Sequence, residues 1–222
     1  MNLKRKIITT GDGSKTIQIE DWDEQYHSKH GAVQEAYHVF IEHGLRLFNN
    51  TNIKLLEIGF GTGLNALITL LESKKQQLNM EYVGVEAYPV SMEEIAELDY
   101  CTQLNALDHQ EKFEEMHRSP WEKSTLITKD FSLHKQQKDF KEITDSDTYN
   151  LIYFDAFGAR VQPELWTEEI FEKMYRALKT NGVLVTYAAK GSVRRAMQHV
   201  GFTVERLPGP PGKREMLRAT KD

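Results

Sequence analysis

Cysteine is almost absent from this chain of 222 residues: Cys101 stands alone. A lone cysteine closes no internal disulfide, which points to a reducing compartment. The surrounding Asp99-Tyr100-Cys101-Thr102 carries no nucleophile motif. Long apolar runs are also missing. The longest, such as Gly182 to Ala189, is far too short to span a bilayer. The basic start, Met1-Asn2-Leu3-Lys4-Arg5-Lys6, lacks the apolar stretch of a signal peptide. The chain therefore reads as cytoplasmic, with no membrane partner. Positive charge is not in excess, and the formal net charge of −5 argues against a general nucleic-acid coat. The histidines show no metal-ligand spacing, and no Gly-x-Ser-x-Gly elbow occurs, so metal and triad chemistry are not expected. Repeats and low-complexity segments are lacking.

What is present suits one large domain with a small N-terminal addition. Hydrophobic residues make up 40 %, enough for a core that needs neither disulfide nor metal. Two β-branched runs, Ile7–Thr10 and Thr16–Ile19, flank Gly11-Asp12-Gly13-Ser14 and predict a hairpin. A polar loop follows to Gly31, so the division expected is 1–31 for the hairpin and loop and 32–222 for the main domain. Apolar spacing predicts a helix over 33–47. Beyond it, strands and helices alternate: strands over 53–58, 80–85, 124–128, 149–154 and 183–187, and helices over 64–71, 91–98, 168–178 and 193–200. Ser91 with Glu94 forms a capping box. Two final strands, 203–207 and 215–219, flank Pro208-Gly209-Pro210-Pro211-Gly212. This alternation predicts an α/β fold of Rossmann-like type, a mostly parallel sheet with helices on both faces.

The segment Leu55-Leu56-Glu57-Ile58-Gly59-Phe60-Gly61-Thr62-Gly63-Leu64-Asn65 carries most information. A buried strand enters a glycine loop and a helix opens behind it, a geometry in which a ligand approaches the backbone closely. Gly59, Gly61 and Gly63 follow Gly-x-Gly-x-Gly, not the Gly-x-Gly-x-x-Gly of dinucleotide enzymes. Glu57 before the first glycine would disfavour a pyrophosphate and welcome the amino group of a methionine moiety. Glu86 ends the second strand, where an acid accepts from ribose hydroxyls. Asp130, after the third strand candidate, could accept from an adenine amino group. Asp155 ends the strand over 149–154, at the same ligand-binding edge, where it could orient an acceptor amine or take its proton. Phe157 and Trp166 could stack on a base or simply pack.

These residues, with Ser28-Lys29-His30-Gly31 and Glu35, Pro163, Ser192-Val193-Arg194-Arg195 and Lys213-Arg214-Glu215-Met216-Leu217, give a resemblance. The chain resembles, from about Tyr26 to its end, the methyltransferase half of the bifunctional bacterial enzyme that makes 5-methylaminomethyl-2-thiouridine in tRNA. The resemblance implies a class I S-adenosylmethionine-dependent fold. It implies transfer of a methyl group to the primary amine of 5-aminomethyl-(2-thio)uridine at the wobble position, in the anticodon region of tRNA. Glu57, Gly59, Gly61, Gly63, Asn65, Glu86 and Asp130 would then bind S-adenosylmethionine. Asp155 would be catalytic, and Glu35, Phe157 and Trp166 would meet the substrate. Arg194, Arg195, Lys213 and Arg214 would meet tRNA phosphates, although the two adjacent arginines could instead pair with Glu205. The loop departs from the family pattern at Ala156, Ala159 and Gln162. No flavin oxidase unit follows Asp222, so a stand-alone form without FAD or metal is expected. Methylation of a small-molecule amine, a nicotinamide oxidoreductase and a non-catalytic RNA-binding module are the competing readings. The oligomeric state is left open.

Overall fold

The computed structural model describes residues 4–222; Met1, Asn2 and Leu3, which open the basic segment and the 1–31 unit, lie outside the described residues. The predicted hairpin forms from β1 (Arg5–Thr9) and β2 (Lys15–Ile19), and a two-residue β3 (Glu24–Gln25) makes it a three-stranded sheet. Next, α1 (Ala32–Ala36) widens into a π-helical stretch, Tyr37–Glu42. The helix expected to reach residue 47 therefore stops earlier. Leu45–Leu47 is a separate 3-10 turn, and Leu47, at the end of the predicted helix, is exposed.

The main unit runs β4 (Asn52–Ile58), α2 (Leu64–Lys75), β5 (Asn79–Val85), α3 (Met92–Ala96), α4 (Tyr100–Gln103), α5 (Gln110–Arg118), β6 (Ser124–Thr128) and β7 (Phe131–Gln136). It continues with β8 (Tyr149–Phe154), α6 (Glu168–Ala177), β9 (Leu178–Thr186), α7 (Gly191–His199), β10 (Thr203–Pro208) and β11 (Glu215–Thr220). The eight strands lie in the order β10-β11-β9-β8-β4-β5-β7-β6. The five from β9 to β7 are parallel; the outer pairings β9–β11, β11–β10 and β7–β6 are antiparallel.

Strand residues alternate between two cores because successive side chains point to opposite faces. Leu55, Tyr82, Leu151 and Val185 belong to one cluster with residues of α1, α2 and α5. Leu56, Val83, Ile152 and Leu184 belong to the other, with residues of α6 and α7. Ile17 of the hairpin sits in the first cluster, so the N-terminal sheet shares the core of the main unit. The capping box at Ser91 and Glu94 is present as predicted.

One strand assignment needs correction, and a site residue with it. The third parallel strand is β7, not the segment over 124–128, which is an antiparallel edge strand paired to β7 as a hairpin. Asp130 lies in the turn of that hairpin, its side chain 59 % exposed, and its carbonyl accepts from Met80 N at the start of β5. It therefore sits at the amino edge of the sheet, about 20 Å from the carboxyl edge by strand rise alone. Asp130 cannot reach a ligand there. The alternation of β7 was hidden by Lys135, a lysine at an inward position. It is buried, donates to the carbonyl of His117 at 2.6 Å and lies 4.8 Å from the centre of the Trp121 ring. Helix α5 carries little apolar periodicity in the sequence, because only its Phe113 and Met116 are buried.

Within β5, Gly84 pairs with Glu57 of β4, and a Cβ there would stand 2.5 Å from Cδ2 of Phe60 in the glycine loop. Gly84→Ala is expected to destabilise the protein by about 1–3 kcal/mol in urea unfolding, because the aromatic ring must move to admit a methyl group.

Candidate active site at the carboxyl edge of the sheet

The chain order reverses between β4 and β8: from β4 the connections proceed one way through β5 and β7, and from β8 the other way through β9. Such a switch point opens a crevice beyond the carboxyl ends of the strands. A cavity of about 530 Å³ lies there. Gly59 makes the turn out of β4 with φ of 90°, and a Cβ on it would come within 2.8 Å of the Asp155 carbonyl. The loop can thus lie flat against the end of β8, where Asp155 N donates to Ile58 O. Gly61, at φ of 49°, passes under the ring of Tyr26 from the N-terminal extension. Gly63 faces away from the cavity, toward His117 of α5.

Four carboxylates converge on this edge. Glu86, at the end of β5, accepts from Gly61 N at 3.1 Å and from Tyr88 N at 2.8 Å. Burial pushes its carboxyl above the ordinary range, against the pull of these bonds. Glu57 is 1 % exposed and stands behind the cavity wall rather than in it. Both its oxygens are taken, one by Tyr82 O–H at 2.7 Å and one by Asn65 Nδ2 at 2.9 Å. The same Asn65 nitrogen donates to Asp155 Oδ2 at 2.8 Å, and Asn65 Oδ1 is buried without a donor. Asp155 borders the cavity. Burial, reinforced by the nearby charge of Glu35, pushes its carboxyl up to about 7. Glu57 is raised well above its usual value by burial.

Several other predicted residues fall into place differently. Glu35, Asn65, Phe157 and Lys213 border the cavity. Lys213 is turned inward onto Glu35 instead of outward to phosphates, with Nζ to Oε2 at 2.6 Å. Trp166 is 6 % exposed and packs edge-on with Phe154, Phe171 and Tyr187. It offers no open face for a base. Its indole N–H donates to Phe157 O at 2.8 Å and so fixes the loop that carries Phe157. Arg194, Arg195 and Arg214 have no carboxylate partner among the described residues. Glu205, the alternative partner, binds Arg218. Lys190 and Arg214 line a shallow open groove that shares Gly158, Arg160, Tyr187 and Lys213 with the cavity.

The N-terminal extension, read as a hairpin and loop, supplies a wall that the sequence did not announce. Trp22 and Tyr26 meet Phe157 edge-on at 5.6 and 4.9 Å. Arg160 ties the opposite loop to it by donating to the carbonyls of Trp22 and Asp23 and to Glu24. His27 bonds Thr16 and Thr62, linking the hairpin to the glycine loop, and its imidazole is held down to about 4 by burial. Tyr187 and the pair Asp139 and Phe140 also line the cavity unforeseen. An aromatic at a strand end reads as core, and the residues after β7 could not be placed while that strand was missing. Among the described residues no cluster of His, Cys, Asp or Glu is arranged to hold a metal ion. Among the described residues, no helix is long and apolar enough to cross a membrane.

A family profile described as S-adenosyl-L-methionine-dependent methyltransferase matches residues 102–222. The chain belongs to this family. It is 29 % identical over 226 residues, 95 % of its length, to the tRNA 5-methylaminomethyl-2-thiouridine biosynthesis bifunctional protein MnmC of Leptospira interrogans. It spans about a third, 34 %, of that relative. An uncharacterised protein of Methanocaldococcus jannaschii is 26 % identical over 97 % of the chain and 59 % of its own length. Among solved structures, MnmC2 of Aquifex aeolicus superposes with a TM-score of 0.75 at 24 % identity, covering 100 % of this chain and 72 % of that one. Spermidine synthase of Thermotoga maritima gives 0.59 at 14 % identity, covering 99 % and 75 %. These likenesses establish the fold as that of a class I methyltransferase.

A methyltransferase site must receive a cationic sulfonium, and this cavity is acidic. Its charge fits such a ligand and disfavours a pyrophosphate. Asp155 resists ionisation, so ionising it as pH rises lowers stability. The raised folded value of Asp155 means its stabilising protonated form is present below pH 4 and lost as pH rises through about 7. His27 and His117, held neutral by burial, act in the opposite direction. The test is therefore a difference: the melting temperature of Asp155→Asn minus that of the wild-type protein should grow from pH 5 to pH 8. A difference independent of pH would mean that Asp155 is an ordinary surface carboxylate.

Proposed function

We propose that this protein transfers a methyl group from S-adenosylmethionine to the primary amine of 5-aminomethyl-(2-thio)uridine at the wobble position of tRNA, in the cytoplasm. The observation that carries this reading is Asp155: a carboxylate at the cavity floor, with acidity near neutrality, beside the cofactor loop. The names of the MnmC relatives and the acidic acceptor end support the amine as substrate.

Residues of this chain suit the cofactor. Each Glu86 oxygen keeps lone pairs beyond its backbone donors and would accept from ribose hydroxyls. Asn65 Oδ1, without a donor, would accept from the ammonium of the methionine moiety. Glu57 would act through Asn65, holding its amide in place. Gly59 and Gly61 would bring backbone to the ligand, and Asp139 and Phe140, which line the cavity, would take the adenine role expected of Asp130. Bound S-adenosylmethionine supplies a methyl group on a sulfonium that leaves as a neutral thioether, so neither metal nor flavin is needed.

Asp155 takes one proton from the incoming alkylammonium, which frees the nitrogen lone pair. When bound, S-adenosylmethionine would supply the methyl group to that lone pair, the electron pair of the carbon–sulfur bond passing to sulfur, and the product would be a secondary ammonium. A carboxyl at about 7 receives that proton at lower cost than an ordinary one would. The walls of the cavity hold the two reactants in line, and such alignment is worth roughly 7–11 kcal/mol. Arg214, which lines the outer groove, and Arg194 and Arg195 of α7, next in sequence to the groove residue Val193, would carry tRNA phosphates.

Purified protein, labelled S-adenosylmethionine and tRNA bearing 5-aminomethyluridine should yield the methylated nucleoside on digestion, with none from tRNA lacking the aminomethyl group. Cofactor binding without transfer would retire the tRNA acceptor in favour of a small-molecule amine. Asp155→Asn should lower kcat by roughly a hundredfold or more with far less effect on cofactor affinity. In the wild-type enzyme, kcat/KM should fall as pH is lowered through about 7, where the base becomes protonated. Reversing Arg194 and Arg195 to Glu should weaken tRNA binding and reduce its salt slope by roughly 2, if each meets one phosphate.

A further inference from the structure

Lys213 follows Gly212 in the loop between β10 and β11, and its ammonium is set within the acceptor end of the cavity. Nζ donates to Glu35 Oε2 at 2.6 Å and stands 3.9 Å from the centre of the Tyr187 ring. Tyr187 is itself fixed, its O–H donating to Ala156 O at 2.8 Å, directly after Asp155. A carboxylate beside an aromatic face is the arrangement by which proteins bind alkylammonium ligands. Glu35 is 8 % exposed, so this carboxylate needs a cation beside it. The charges of Glu35 and Lys213 both act on Asp155, and those of Asp155 and Glu35 both act on Tyr187, which places the four groups in one cluster.

We propose that Glu35 and the ring face of Tyr187 form the subsite for the ammonium group of the acceptor, and that Lys213 fills this subsite as an internal alkylammonium until the acceptor displaces it. The inference rests on the amine-methyltransferase reading and adds the acceptor's seat. Displacement exchanges one alkylammonium for another, so Glu35 keeps a counter-charge as the acceptor binds. The loop backbone can stay in place, held by Lys213 N to Pro210 O and Gly209 N to Arg214 O. The flexible four-carbon stem of Lys213 can swing outward to the groove it shares with Lys190 and Arg214, where phosphate would receive it. The exchange also selects the acceptor. A uridine with a neutral 5-substituent could displace Lys213 only by leaving Glu35 buried and unpaired, and one ending in a carboxylate would face Glu35 and Asp155 with like charge.

Lys213→Ala deletes the atoms of a propylammonium ion, so propylamine hydrochloride is the matching probe. Calorimetry on the full chain should show propylammonium binding to the variant at least tenfold more tightly than to the wild-type protein. Propanol, of the same size without charge, should not bind. Adding Glu35→Gln should abolish propylammonium binding. Adding Tyr187→Leu should weaken it about fivefold, whereas Tyr187→Phe, which keeps the ring, should not. Equal binding to wild-type and variant, or none to a variant with native circular dichroism, would overturn the proposal and leave Lys213–Glu35 as a structural ion pair. Lys213→Ser opens the same space and replaces the alanine variant should that one not fold. Propylammonium binding is read without methyl transfer. A tRNA that is not methylated, with propylammonium bound as expected, would retire the acceptor and keep the subsite; the converse would retire the subsite alone.

Discussion

One side-chain amide stands between a buried carboxylate and a half-buried one: Asn65 Nδ2 donates to Glu57 at 2.9 Å and to Asp155 at 2.8 Å. Carboxylates brought together in a protein interior repel one another and lose their hydration, so each tends to hold its proton. The first turn of α2, where Asn65 sits, is placed by the glycine loop. The loop lies close against β8 because Gly59 has no side chain to collide with the Asp155 carbonyl. Tyr82 fixes the second oxygen of Glu57 from the neighbouring strand. The geometry of the site thus depends on three parallel strands ending at one level, with an amide and a phenol to hold their acids apart.

This arrangement trades stability for chemistry. Glu57, Glu86 and Asp155 are held at a strand edge where burial opposes their ionisation, and their weakened acidities record the cost. On the proposed reaction, a cationic cofactor would relieve it from one end and an alkylammonium acceptor from the other. At the acceptor end, the ammonium of Lys213 already neutralises Glu35. The protein therefore meets one of its own electrostatic demands with a side chain of the kind its acceptor would present.

The walls come from parts of the chain far apart in sequence. The N-terminal three-stranded sheet contributes Trp22 and Tyr26, and the loop after β8 contributes Phe157 and Arg160, which bridge back to that sheet. Trp166 serves the same end indirectly, by holding the carbonyl of Phe157. The extension is continuous with the main core through Ile17, so it is an integral wall of the site.

The glycine loop, Glu86, Asp155 and the alternation of strands and helices were legible in the chain, because each is a local pattern: a buried run, a turn and an acid at a strand end. The family followed from the same segments. Tertiary structure decided the rest. A lysine at an inward position concealed β7, and pairing alone sent Asp130 to the wrong edge of the sheet. Only packing could show that Glu57 stands behind Asn65, that Trp166 is buried and that Lys213 points inward. Spacing along a chain fixes which residues can share an edge. Which of them meet, and which charges must then be balanced, is set by contacts between segments that the sequence separates by as many as 178 residues, as for Glu35 and Lys213.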